Sequence, residues 1–286
     1  MFPAEFEYRR AHSLKEALTL LQSQEGSKLM AGGHSLIPMM KLRLAQPTTV
    51  VDIGRIEELS GIRLEDDWII IGSLTKHAEL AADPILQEKC PIISEAASEI
   101  GDPAVRNRGT IGGNVAHSDP GSDLPAVICA LGGEILTIGP SGERQIKAAD
   151  FFLDLLLTDL HEDEIVTAVK VRPLSPLAGS AYLKFEHPAS GYAVCGAAAV
   201  VDCENAGCLS EVNLWYNGVT PIPFYADSIA KTVLKNGITG IEGVMEQSLE
   251  IEDPMGDLFA SGEYRVQLAK VYGAKALKLA VERSGF

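Results

Sequence analysis

Apolar positions along the chain recur in short blocks whose spacing alternates between a helical period and a strand period. Ser13 precedes the run Leu14-Lys15-Glu16-Ala17-Leu18, and Glu16 three residues after Ser13 completes a capping-box pattern, which predicts a helix start. Residues 28–31 read as a short strand stopped by Gly32-Gly33, and residues 36–44 as a turn or short helix. A strand is predicted at 49–53 and a hairpin at 61–64 and 68–71, with Asp66-Asp67 in its turn. Helices follow at 76–82 and 90–100.

The segment 101–125 departs from this rhythm, being long, polar and glycine-rich without being low in complexity. Unstructured stretches of that length inside a compact domain are usually functional, so it is expected to be a ligand-binding loop. Beyond it a helix is predicted at 124–131 and strands at 134–138 and 165–172. The densest apolar run, 151–157, carries Asp154 and is far shorter than the ~20 residues of a membrane span, so it is expected to be a buried helix. Pro173 and Pro176 mark a boundary near 173–179. The remainder alternates strands (181–186, 193–202, 209–216) with helices (225–234, 240–248, 265–283), and no internal repeat is evident.

Composition narrows the classes. With 286 residues, 46% hydrophobic and 22% charged, the chain suits a soluble globular protein of two packed domains. The N-terminus lacks the basic-then-apolar layout of a signal peptide, which predicts a cytoplasmic protein without a transmembrane segment. A formal net charge of -15 disfavours nucleic acid and acidic membranes as partners. The five cysteines, Cys90, Cys129, Cys195, Cys203 and Cys208, include no C-x-x-C pair, so no metal or iron–sulfur ligand set is expected.

Candidate chemistry concentrates in two glycine turns, Ala31-Gly32-Gly33-His34-Ser35 and Thr110-Ile111-Gly112-Gly113-Asn114. Without a Cβ, several backbone N–H groups can converge on one anion, and two such turns suit a diphosphate. Ser35, Thr110 and Asn114 add side-chain donors. The dinucleotide fingerprint G-x-G-x-x-G and the P-loop lysine are absent. His34 and His117 are expected as hydrogen-bonding residues rather than acids or bases, and Asp119 as the cap of the Asp119-Pro120-Gly121 turn. Arg106 and Arg108 read equally well as binding residues and as solvated loop charges.

Taken together, the segment from Ala31 to Pro38 with Lys41-Leu42-Arg43, the segment Arg106 to Asn114, the run Asp119 to Pro125 and the tail Asp257 to Arg265 resemble the FAD-binding medium subunits of the xanthine dehydrogenase and carbon monoxide dehydrogenase family. The resemblance runs the length of the chain. It implies an α+β fold: a two-subdomain PCMH-type FAD-binding domain at 1–175 (subdomains about 1–54 and 55–175), then a C-terminal α/β domain at 176–286 with a small antiparallel sheet and helices.

It further implies FAD contacts from Ala31, Gly32, Gly33, His34, Ser35 and Leu36, and from Thr110, Ile111, Gly112, Gly113 and Asn114. Gly101, Asp123, Val166, Lys184 and Tyr192 would complete the set, with no catalytic residue and no metal. The implied partners are a large molybdenum-cofactor subunit and a small 2Fe-2S subunit, with electrons passing to an external acceptor, quinone or NAD, and with Tyr192 tilting the match toward the carbon-monoxide-dehydrogenase-like members. Two other functions fit the residues: a self-sufficient flavin oxidase or dehydrogenase, and a nucleotide-binding scaffold that holds phosphate but no flavin.

Overall fold

The computed structural model describes residues 2–205 and 208–285. Three sheets organise them. The first is three-stranded and parallel, with Thr49–Asp52 between Glu7–Arg10 and Ser27–Met30. The helix Leu14–Ser23 packs its Ala17 and Leu21 against this sheet, its start fixed as expected by Ser13, whose Oγ accepts the Glu16 amide at 3.2 Å.

The second sheet is antiparallel, in the order Ile62–Glu65, Trp68–Gly72, Ile165–Val171, Glu134–Gly139, Gly142–Lys147. Short helices cover it, and Ile69, Ile71, Ile92, Ile93, Ile111, Leu124 and Phe151 form the largest core. Leu74 and Ile165, from the edge of this unit, bury into the core of the first sheet, so the two units share a hydrophobic seam.

The third sheet, antiparallel, runs Gly179–Glu186, Ala193–Asn205, Cys208–Asn217, Phe224–Tyr225. Its long central strand is apolar at every position from Ala197 to Val201, because both faces are covered. Ala197, Ala199 and Val201 belong to the core under the helix Gly262–Glu282, whereas Ala198 and Val200 join the core of the second unit. A strand buried on both faces reads as a continuous apolar run, which is why the sequence pattern located it.

Two expectations fail. Segment 101–125 is not an open loop: it folds into the helices Pro103–Arg106 and Ile111–His117 and enters Asp123–Ala130. Asp102 and Thr110 cap the first two, accepting the amides of Val105 and Gly113. Residues 151–157 are not a buried helix either. The helix Ala148–Phe151 ends there, and a two-stranded hairpin follows, Phe152–Asp154 against Leu157–Thr158. Only Phe151 and Phe152 enter the core; Leu153, Leu155, Leu156 and Leu157 are each about half exposed. Helix Pro84–Lys89 and strand Gly142–Lys147 were not anticipated, and the predicted helix at 225–234 starts later, as Asp227–Asn236 after a short strand. All five cysteines are free thiols, and all but Cys208 are buried.

Candidate functional site

A cleft of about 630 Å³ opens where the three units meet, within the size range of cofactor sites. The first sheet supplies one wall through residues 27–36, the second unit supplies Ser73, His77, Gly101 and residues around 110–123, and the third sheet reaches in with the turn carrying Gly191 and Tyr192.

The loop after Ser27–Met30 is the most telling part. The backbone N–H groups of Gly32, Gly33, His34, Ser35 and Leu36 donate to no acceptor among the described residues, although all five residues line the cleft. Half-buried amides are otherwise paired almost without exception, and Gly32, Gly33, Ser35 and Leu36 are half-buried, so this run of unspent donors is free to meet an anion. Gly33 has φ +76°, the left-handed conformation that lets the chain turn there. Gly32 is required by a crossing of main chains: a Cβ at this position would lie 2.7 Å from the carbonyl carbon of Arg108 and closer still to its oxygen.

The second glycine turn is built differently from expectation. It is the first turn of the helix Ile111–His117, and its amides are already committed: Ile111 N–H to Thr75 O at 3.0 Å, Gly112 N–H to Ser73 O at 2.8 Å, and Gly113 N–H to Thr110 Oγ1 at 3.2 Å. Ile111 points into the core and does not line the cleft. Gly112 is held by packing on Ser73, whose carbonyl oxygen would stand 2.8 Å from an added Cβ. Thr110, Gly112 and Gly113 line the cleft, and the segment's unpaired polar group there is the Asn114 side chain, whose Nδ2 donates to Ser122 Oγ at 3.1 Å while its buried Oδ1 has no partner among the described residues.

Ser73 Oγ and His77 Nδ1 are likewise buried without a partner, and both residues line the cleft. Three orphaned polar atoms beside a row of unspent amides fit a ligand that carries both a diphosphate and a polar heterocycle or ribityl chain. His77 was not singled out from the sequence, because a lone histidine at a helix start has no distinguishing signal.

At the other end, Asp123 is buried at the first position of its helix. It accepts the Tyr182 hydroxyl at 2.5 Å and faces Lys184 Nζ at 3.2 Å. Burial pushes its carboxyl up to about 6, opposed by the Lys184 charge and the Tyr182 hydrogen bond. Lys184 does not line the cleft, contrary to its expected role as a cofactor contact. Its side chain is almost wholly buried behind Asp123, and Nζ also donates to Glu99 O at 2.7 Å and Gly191 O at 2.8 Å. One ammonium thereby ties the turn before Gly101, the helix of Asp123 and the turn carrying Tyr192. Asp119 caps its turn through Gly121 N–H, as the sequence suggested, and Arg106 donates to Ile100 O and Gly101 O, bracing the cleft wall. Val166 is buried in the wall, and Tyr192 is half exposed at the rim.

The buried His77 makes stability depend on pH in a defined direction. Desolvation, reinforced by His34, lowers its pKa from 6.5 to about 4. A histidine kept neutral in the native state contributes fully above its unfolded pKa and loses that contribution as pH falls through the native value. Between pH 6.5 and 4 the wild type is therefore expected to lose about 2–3 kcal/mol more than His77→Gln, at up to ~1.4 kcal/mol per pH unit. Denaturant unfolding at both pH values checks this, and parallel losses in the two proteins would refute it.

Comparison with known proteins bears directly on the cleft. Residues 4–174 match the model of the FAD binding domain in molybdopterin dehydrogenase. The carbon monoxide dehydrogenase medium chain of Hydrogenophaga pseudoflava is 37% identical over 286 residues, covering 99% of each chain. The glyceraldehyde dehydrogenase medium chain of Sulfolobus acidocaldarius is 35% identical, covering 97% of this chain and 99% of the relative. In a solved carbon monoxide dehydrogenase from Hydrogenophaga pseudoflava, a chain superimposes with a TM-score of 0.95 over 99% of this chain and all of that one. The putative xanthine dehydrogenase FAD-binding subunit of Escherichia coli is 30% identical over 97% of each chain. With a family model covering more than half of its length and relatives alike from end to end, this chain belongs to the FAD-binding medium subunits of the molybdenum-containing dehydrogenases.

Proposed function

We propose that the chain is the electron-transfer subunit of a molybdenum hydroxylase complex, receiving electrons from the iron–sulfur clusters of a small partner and delivering them to an external acceptor, quinone or NAD, while a large molybdenum-cofactor partner oxidises the substrate. The observation that carries this reading is the row of five unspent amides at Gly32–Leu36 in a cleft sized for a dinucleotide. FAD supplies a centre that exchanges electrons singly or in pairs, which joins a one-electron relay to a two-electron acceptor.

The chain's own residues would bind and position. The amides of 32–36 would hold the diphosphate, with Asn114 and Ser73 as polar neighbours. Asp123, held by Lys184 and Tyr182, would face the ring system, with Val166 and Tyr192 as its apolar neighbours. The cysteines are too scattered to supply a cluster's ligands, so the relay must be carried by another chain.

Anaerobic addition of the complex's reducing substrate to the purified complex is expected to bleach the flavin, with the iron–sulfur absorbance falling first. Quinone and NAD are then added separately, and the reoxidant that restores the flavin identifies the acceptor. Flavin reduction by substrate in this chain free of partners would instead mark it as a self-sufficient dehydrogenase.

A further inference from the structure

Adjoining the flavin cleft, and sharing the Gly32 loop with it, lies a second, smaller cavity of about 150 Å³. Four cations from four separate parts of the chain line it: Arg10, Arg55, Lys76 and Arg108, with Asp52 as the carboxylate among them. In a protein of formal net charge -15, this is a local inversion of the field.

The charges there are incompletely answered. Arg10 lies 3.6 Å from Asp52, whose Oδ2 also accepts the Tyr8 hydroxyl, and Lys76 lies 3.6 Å from Glu79. The guanidinium groups of Arg55 and Arg108 form no hydrogen bond and no ion pair with described residues. Thr110, whose amide donates to no group among the described residues, lines this cavity and the flavin cleft alike, as do Ala31, Gly32 and Leu74. The two cavities thus share part of their lining.

We propose that this cavity is a second anion site, selective for a phosphate-class oxyanion and distinct from the flavin cradle. Guanidinium forks match tetrahedral oxyanions in a bidentate manner, and two forks unpaired among the described residues, with two further cations on the same exposed cavity, provide the groups for such recognition. At about 30 Å³ of liquid volume per water, the cavity has room for one phosphate with some of its hydration. The ligand is free phosphate or the terminal phosphate of a nucleotide whose remainder stays outside. The site does not depend on the flavin assignment, since its four cations line the smaller cavity and not the cleft.

The test titrates inorganic phosphate, and separately ADP, into the FAD-loaded protein at constant ionic strength by calorimetry, with chloride as control. Saturable binding of one phosphate per chain is expected, weakened at least tenfold in Arg55→Gln/Arg108→Gln with FAD content unchanged. ADP binding tenfold tighter than phosphate identifies a nucleotide tail as the source, and equal affinity identifies free phosphate. A non-saturating response equal to that of chloride, or undiminished binding in the double variant, overturns the proposal. So does release of FAD in step with phosphate uptake, because the anion would then be entering the cradle.

Discussion

Gly32→Val is expected to deprive the protein of FAD while leaving the third sheet and its long helix folded. The branched side chain has to occupy space held by the Arg108 carbonyl, 2.7 Å from its carbon, with Gly109 Cα at 3.1 Å behind it. Both obstacles are main chain and cannot rotate aside. The two loops must part, and the amides of residues 32–36 then cease to converge. Losing two charge-assisted hydrogen bonds, each worth about 1.5–3 kcal/mol, corresponds to an affinity at least ~100-fold weaker. Acid release and quantitation of FAD from wild type and variant measure this, and full retention in the variant would remove the loop from the site. Gly112→Val is a poorer probe: its side chain meets Ser73 rather than the cleft, so flavin loss there would report a disturbed fold.

The second large effect concerns the buried ion pair. Lys184→Met leaves the Asp123 carboxylate enclosed with no counter-charge and frees three acceptors, Glu99 O, Gly191 O and Asp123 itself. Breaking one partner of a buried pair costs about 3–5 kcal/mol. At roughly 2–4 °C per kcal/mol for a chain of this size, the melting temperature is expected to drop by ~10 °C. Adding Asp123→Asn to the lysine variant is expected to recover part of the loss, since the uncompensated charge is gone; a double variant as unstable as the sum of the singles would show that the two residues are not coupled. The carboxyl itself provides a second signature. Its native pKa of about 6 lies above the unfolded value of 3.8, so its contribution is complete below 3.8 and is lost as pH rises to about 6. The stability difference between wild type and Asp123→Asn therefore changes in that window and is flat above it.

Much of this was readable from the sequence, for physical reasons that differ by region. The Gly32 loop was legible because paired glycines after a strand, followed by Ser35, have few uses besides a tight turn or an anion cradle, and the structure leaves those amides unspent. The central strand Ala193–Asn205 was legible because burial on both faces leaves an unbroken apolar run. The second glycine turn was legible only in part: Gly112 and Gly113 do line the cleft, but the close packing of Ser73 against Gly112 could not be read from the sequence. Lys184 could not be distinguished from a cofactor-facing lysine, because only the folded chain shows its ammonium turned toward three backbone and side-chain acceptors behind the wall. The leucine run 151–157 misled. Apolar content predicts burial, but Leu156 adopts φ +56° in a hairpin turn, and beyond the buried Phe151 and Phe152 the leucines stay about half exposed, with Leu156 and Leu157 lining the cleft. His77 carries no local pattern and emerges only from its burial and its orphaned Nδ1.

The most direct test of the account is the position of the diphosphate in a crystal structure of the FAD-bound protein. The diphosphate oxygens are expected within ordinary hydrogen-bond distance, about 3 Å, of the Gly32–Leu36 amides, with the flavin running toward Asp123 and Tyr192. A diphosphate seated anywhere else, for instance among Arg10, Arg55 and Arg108 in the smaller cavity, would contradict it.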